Sequence, residues 1–303
     1  MSLPWYYRTM NKKLLFPAVF ALVLTAGISA QAFSVSYLDG VAELQAAKAW
    51  TALSIGDKVP ADGSVRISQN GSLELLRGKL KITILKDGVY DMAALARAAG
   101  KSGADGIGSA ISQKLASLTT EKSRAAQAAG VRGELQGEAP VTWVDENDET
   151  RGKVQALLDD KKFADALKVL DQAIQDSTDD SEKAEFTYLK GVAYYDNGET
   201  ARAYKVLEQV SPDPDTGWYA RYVILKSQVL VDTSNFRDAL AILSPFISAS
   251  PTGEATQVAY LLTYYSQKGL GDQASARAAL DAGYKLDPST DTAKIIDRQR
   301  KAQ

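Results

Sequence analysis

A recurring alanine constrains this chain more than any other feature. Ala166, Ala203, Ala239 and Ala276 are separated by 37, 36 and 37 residues, and each is followed one helical turn later by a leucine: Leu170, Leu207, Leu243 and Leu280. The surrounding words repeat as well, as Phe163-Ala-Asp-Ala-Leu, Thr200-Ala-Arg-Ala-Tyr, Phe236-Arg-Asp-Ala-Leu and Gln273-Ala-Ser-Ala-Arg. A small residue lets one helix approach another closely, and a leucine one turn on fills the space beside it. This period therefore predicts stacked helical hairpins, an architecture that buries its core between neighbours and offers an extended concave surface.

The hairpins resemble the tetratricopeptide repeat (TPR), whose unit is about 34 residues. Gly191, Tyr194, Ala203 and Leu207 stand at that family's small, aromatic, small and large positions. Gly271, Ala276, Leu280 and Leu286-Asp287-Pro288 match in the last hairpin, and Ala239, Leu243 and Pro251 in the third. The first hairpin fits through Ala166, Leu170 and Ala173, while its first helix lacks the Gly and Tyr. The resemblance implies an α-solenoid of about four hairpins over residues 146–290, with 291–303 as a capping helix or tail. Ser211–Gly217 and Ser248–Gly253 read as inter-hairpin turns longer than standard, and prolines after second helices as stops.

In that family the first helices line a groove. The register carried onto this chain implies groove positions Glu185, Tyr188, Val192 and Tyr195, then Arg221, Ile224 and Gln228, then Leu261, Tyr265 and Lys268. The candidate partner-binding residues among them are Tyr188, Tyr195, Arg221, Gln228, Tyr265 and Lys268. In the pairs Tyr194-Tyr195 and Tyr264-Tyr265, one ring is expected to pack inward and the other to reach the groove. The Lys/Asn set with which chaperone-binding TPRs clamp a C-terminal carboxylate is missing from these positions.

Residues 1–32 read as a secretory signal: Lys12-Lys13, an apolar run from Leu14 to Ile28, and Ala30-Gln31-Ala32 as the cleavage site. Met10 is an alternative start, and an uncleaved anchor is the alternative fate. Cleavage would leave Phe33 first and an exported, periplasmic chain. Without cysteine, neither lipid acylation nor a disulfide is available. Residues 33–145 carry 13 basic and 12 acidic groups, and residues 146–303 carry 19 and 25. Neither half has the basic excess that a nucleic-acid surface needs.

Residues 33–145 have a different texture. Phe33–Tyr37, Val41–Leu44, Ser64–Ser68, Ser72–Leu76 and Lys79–Leu85 are β-prone, separated by Asp39-Gly40, Asp62-Gly63, Asn70-Gly71, Arg77-Gly78 and Asp87-Gly88. Leu80, Ile82 and Ile84 alternate with Lys79, Lys81 and Thr83, as in a strand with one buried face. A small all-β domain is expected. It resembles the FecR domain through Gly40-Val-Ala-Glu, Trp50 to Val59, Asp62 to Ser72 and the closing Gly130-Val131-Arg132-Gly133, which would lead into a strand at Val141–Val144. The family's best-known members relay a signal from an outer-membrane transporter to a sigma factor. They carry a cytoplasmic segment and a membrane helix, and this chain is expected to have neither after cleavage. Residues 91–129 form an Ala/Ser/Gly-rich insertion, with a short amphipathic helix expected over Ile107–Leu118 between flexible arms.

The chain has no histidine and no cysteine, which removes Ser-His-Asp hydrolysis, thiol catalysis and ordinary zinc sites. The acids of the helical half read as solvated faces and caps, Asp159-Asp160 before a turn and Asp179-Asp180-Ser181 before a helix. The expectation is a non-enzymatic exported adaptor with no cofactor and no metal. Its TPR groove would hold a protein or peptide, and its FecR-like domain a second partner. A structural component of an envelope assembly and a FecR-type signal relay are the alternatives.

Overall fold

The computed structural model describes residues 32–46, 49–102, 146–249 and 252–302. The first part is all-β. Strands β1 (Phe33–Asp39), β2 (Ala42–Ala46), β3 (Ala49–Ala52), β4 (Lys58–Val59), β5 (Ser64–Ile67), β6 (Ser72–Arg77), β7 (Leu80–Ile84) and β8 (Gly88–Asp91) form two antiparallel sheets. Their orders are β4-β1-β6-β7 and β3-β2-β5-β8. Phe33, Val35, Leu73, Leu75, Ile82 and Ile84 from the first sheet share one core with Ala42, Val65 and Ile67 from the second. The period-two alternation expected of β7 is present: Ile82 and Ile84 are buried there, while Lys81 and Thr83 face the other way.

The Asn70-Gly71 turn shows why these residues occupy it. Asn70 adopts φ of 61°, a left-handed conformation that asparagine tolerates. A Cβ on Gly71 would lie 2.7 Å from Ile67 Cγ2, so only glycine fits. Three strands escape the sequence reading. β3, β4 and β8 span only 4, 2 and 4 residues, too short for a period to register. Helix α1 (Met92–Ser102) also departs from it, standing where a flexible arm was expected. Asp91 Oδ1 caps it by accepting from the Ala94 N–H at 2.7 Å, and Met92 is fully buried in the sandwich core. The leader, the Ile107–Leu118 helix, the Val-Arg-Gly motif and the Val141–Val144 strand lie outside the described residues.

The second part is helical: α2 (Glu146–Asp159), α3 (Phe163–Asp176), α4 (Asp180–Asp196), α5 (Thr200–Glu208), α6 (Tyr219–Asp232), α7 (Phe236–Ala249), α8 (Glu254–Gly269), α9 (Gln273–Leu286) and α10 (Asp291–Lys301). Each even-numbered helix from α2 to α8 packs on the next in sequence. The repeated alanines and leucines hold the stack, since all eight of them have 0% exposure. Gly191 in α4 stands against Leu207 in α5, where an added Cβ would lie 2.8 Å from Leu207 Cδ2. Helix α10 closes the end of the stack on α8 and α9 with Ala293 and Ile296 fully buried.

The turns inside the hairpins repeat as well. Lys161, Gly198, Ser234 and Gly271 have φ of 58°, 78°, 60° and 84°. The next N–H in each case, from Lys162, Glu199, Asn235 and Asp272, donates to the carbonyl of Leu157, Tyr194, Leu230 and Gln267 respectively. This is the Schellman ending, which satisfies carbonyls left over at a helix C-terminus. At Lys161 and Ser234 a side chain takes a position that favours glycine, at a cost of about 1 kcal/mol each.

The two parts are packed together. The outer face of sheet β4-β1-β6-β7 meets α5 instead of water. Leu85, just after β7, is 7% exposed and belongs to the helical core, and Tyr37 packs against that core. Lys81 Nζ donates to Gly198 O and to Thr200 Oγ1, both at 2.6 Å. Lys205 Nζ donates to Asn70 O at 2.6 Å and pairs with Asp39 at 3.3 Å, and Lys86 pairs with Asp238. Glu74 explains how a carboxylate survives in this contact: it accepts from Ser36 Oγ at 3.2 Å and Thr83 Oγ1 at 3.5 Å, with Lys81 3.8 Å away.

Candidate partner-binding groove

The first helices of the hairpins, α2, α4, α6 and α8, carry equivalent stripes at the 36- and 37-residue offsets. They read Asp148-Arg151-Gln155-Asp159, Glu185-Tyr188-Val192-Asp196, Arg221-Ile224-Gln228-Asp232 and Val258-Leu261-Tyr265-Gly269. Spacings of three and four residues keep each stripe on one helix face. Two contacts tie neighbouring helices. Arg151 reaches from α2 to Glu185 of α4 at 3.2 Å while also holding Asp148 at 2.9 Å. Tyr195 at the end of α4 donates to Asp232 Oδ2 at the end of α6, at 2.7 Å.

The six expected contact residues divide into two groups. Tyr188, Gln228 and Tyr265 are buried, at 2%, 0% and 8% exposure, so they present little side chain to a partner. The Tyr188 ring stacks on Trp218 at 5.3 Å and meets Tyr222 edge-on, an aromatic cluster that gains more from packing than from display. Burial, eased by the Arg221 charge, pushes the Tyr188 hydroxyl pKa well up. Tyr265 packs on Tyr264 at 4.7 Å, and both rings are buried, so the expected division of that pair does not hold. Tyr194 and Tyr195 are both half-buried. Tyr195 and Arg221 are half-buried, and Lys268 is exposed above the Tyr264 ring at 5.5 Å. Arg221 Nε is itself buried with no hydrogen-bond partner.

The sequence reading missed the far end of the stripes. Asp232 is reached by solvent yet enclosed on several sides. Gln228 Nε2 donates to its Oδ1 at 2.6 Å, and Tyr195 to its Oδ2. Burial raises its carboxyl pKa, against those two hydrogen bonds and the charge of Lys81. Burial also pushes the neighbouring Asp196 carboxyl up to about 6. The available signal was the period itself, because Asp159, Asp196 and Asp232 repeat at the alanine spacing.

A concavity lies between the two parts, a cleft of about 290 Å³ whose lining includes Tyr37, Glu74, Lys81, Glu199 and Arg202. Arg202 lies over the Tyr37 ring at 5.4 Å. Among the described residues, no group of three or more acidic residues is arranged to hold a metal ion, and no helix is long and apolar enough to cross a membrane.

Residues 151–215 match the tetratricopeptide repeat family. No curated protein sequence matches the chain. Among solved structures, a MamA RS-1 double mutant is 22% identical, with a TM-score of 0.41, over 52% of this chain and 88% of that one. MamA from Desulfovibrio magneticus RS-1 is 21% identical with a TM-score of 0.41, covering 52% and 86% of the two chains. MamA MSR-1 is 16% identical with a TM-score of 0.37, covering 52% and 87%. By its own element order and the match over residues 151–215, the chain is an N-terminal β region followed by TPR-like helical hairpins.

Proposed function

We propose that this chain is a non-enzymatic, exported adaptor whose hairpin stack binds a protein or peptide. The observation that carries the reading is the register. Four first helices present equivalent stripes on a stack whose core alanines and leucines are fully buried. A stack of that kind gains its stability between neighbouring hairpins and leaves one continuous face for a partner. We assign contact with that partner to Tyr195, Arg221 and Lys268, framed by Tyr188, Gln228 and Tyr265. The leader read from the sequence directs the chain out of the cytoplasm. The β-sandwich, read as FecR-like, is the second interaction module.

The packing between the two parts favours a second reading, a static component of an envelope assembly. Lys81, Lys205, Lys86 and Leu85 fix the sandwich on the helices, as a structural part requires. Capture by the mature chain from an envelope extract, followed by mass spectrometry, separates the two. A set of weakly held partners released by the Tyr195→Ala/Arg221→Ala double variant supports the adaptor. One stoichiometric complex, insensitive to that variant, supports the static component. Loss of a hot-spot contact costs about 2 kcal/mol, so the release is readily seen.

A further inference from the structure

The helices α2, α4 and α6 all end on aspartate: Asp159, Asp196 and Asp232. A helix C-terminus carries the negative end of the backbone dipole, so a carboxylate there is electrostatically disfavoured and a cation is preferred. None of these three helices has a basic residue in its last turn. Each aspartate keeps access to solvent, though Asp196 and Asp232 are partly enclosed, and among the described residues none of the three forms an ion pair. The neutral donors Gln155 and Gln228 hold the two outer carboxylates, at 2.9 Å and 2.6 Å. These glutamines occupy the same stripe position, one turn before the aspartate.

Two independent observations point to a cationic ligand. The Gln228 side chain is fully buried, with its Nε2 committed to Asp232 and its Oε1 without a partner. That places a buried, unused acceptor on the side chain that holds Asp232, a carboxylate with no cation within ion-pair distance among the described residues. The second observation is a lysine already seated at this edge. Lys81 of the β-sandwich donates to Gly198 O, two residues beyond Asp196, and its charge is felt at Asp232.

We propose that the rim formed by Asp159, Asp196 and Asp232 receives lysine or arginine side chains of an extended partner segment, one per hairpin. The geometry sets their spacing. Packed helices lie about 8–10 Å apart, and a polyproline-II segment advances about 9 Å per three residues with every third side chain on the same side. The segment therefore carries basic residues three apart. The inference rests on reading the stack as a protein-binding scaffold, and it names the chemistry that the scaffold selects.

The test uses the mature full chain and fluorescein-labelled peptides in dilute salt, read by anisotropy. One peptide has lysine at every third position among alanine and proline. A second replaces lysine with glutamate, and a third clusters the same lysines at one end. The spaced lysine peptide is expected to bind at least about tenfold more tightly than either control. The Asp159→Asn/Asp196→Asn/Asp232→Asn variant should lose that preference, and Asp165→Asn on the second helix should keep it. Failure of the spaced peptide to bind, or binding unchanged in the triple variant, overturns the proposal. An envelope partner captured equally by wild type and the triple variant leaves the scaffold reading standing and removes only the basic rim.

Discussion

Gly191→Ala tests the close packing on which the hairpin register depends. Two effects oppose each other. Alanine in a helix interior is favoured over glycine by about 0.5–1 kcal/mol, because glycine loses more backbone freedom on folding. Against that, the new methyl would stand 2.8 Å from Leu207 Cδ2 and 2.9 Å from Leu207 Cγ. The optimal carbon–carbon separation is about 3.5 Å or more, so Leu207 must move by roughly 0.7 Å. Leu207 is fully buried, so its side chain must shift against the surrounding core, and its carbonyl accepts from the Tyr222 hydroxyl at 3.3 Å. Overpacking of this kind costs about 1–3 kcal/mol, which outweighs the propensity gain. The net expectation is destabilisation of about 1 kcal/mol, a fall of about 0.5 M in the urea midpoint. Gly152→Ala supplies the control. Gly152 lies in α2 with nothing within 4 Å of a new Cβ, so only the propensity term acts and the variant should gain about 0.5–1 kcal/mol. Urea titrations of the full chain, followed by helical circular dichroism at equal protein concentration, give both numbers. If Gly191→Ala is stabilised as much as Gly152→Ala, the α4–α5 contact is not a close approach.

Leu85→Ala removes the apolar anchor between the sandwich and the helices, at a cost of about 2 kcal/mol. Urea unfolding read separately at Trp50 and Trp218 should change from one shared transition to two, and a single unmoved transition would show that Leu85 is not the anchor. Asp196→Asn should alter the pH dependence of stability, because burial raises the folded carboxyl pKa to about 6, above the ordinary carboxylate value of 3.8. With the folded value above the unfolded one, the aspartate's contribution is most favourable below about 3.8 and is lost as pH rises through 6. Solvent reaches the side chain, and its screening holds the effect to about 1 kcal/mol. The variant should exceed wild type by about that amount at neutral pH and match it in acid; a constant difference across the range refutes the assignment.

The sequence made the helical half legible because its constraints are steric and periodic. An alanine at a close helix contact tolerates few substitutes, so Ala166, Ala203, Ala239 and Ala276 mark the register directly. Alternation located β7 for a similar reason. What stayed hidden depends on contacts between elements distant in the chain. β4 is two residues long and exists only because Phe33 and Ser34 pair with it. Lys81 and Thr83 read as a solvated strand face, and only the docking of the sandwich turns that face into an interface. The burial of Gln228 and Tyr265 was hidden as well, since a stripe fixes which face a residue occupies but not how much of it a neighbour covers.

One period thus carries two kinds of information. The buried alanines and leucines, and the left-handed turn at Lys161, Gly198, Ser234 and Gly271, all follow from folding: close packing, a filled core and satisfied helix carbonyls. Asp159, Asp196 and Asp232 share the spacing but work against the fold. They stand at the negative ends of helices, and the two outer ones draw neutral donors where a cation would be preferred. The Schellman turn needs nothing from a carboxylate at that position, and Gly269 occupies it in the last hairpin, where the turn forms just as well. Folding therefore does not account for the three aspartates, and a cationic partner would remove the electrostatic cost they impose. The same reasoning explains the seat of Lys81. A sandwich that donates one lysine to this edge satisfies part of the charge and leaves the remaining carboxylates exposed.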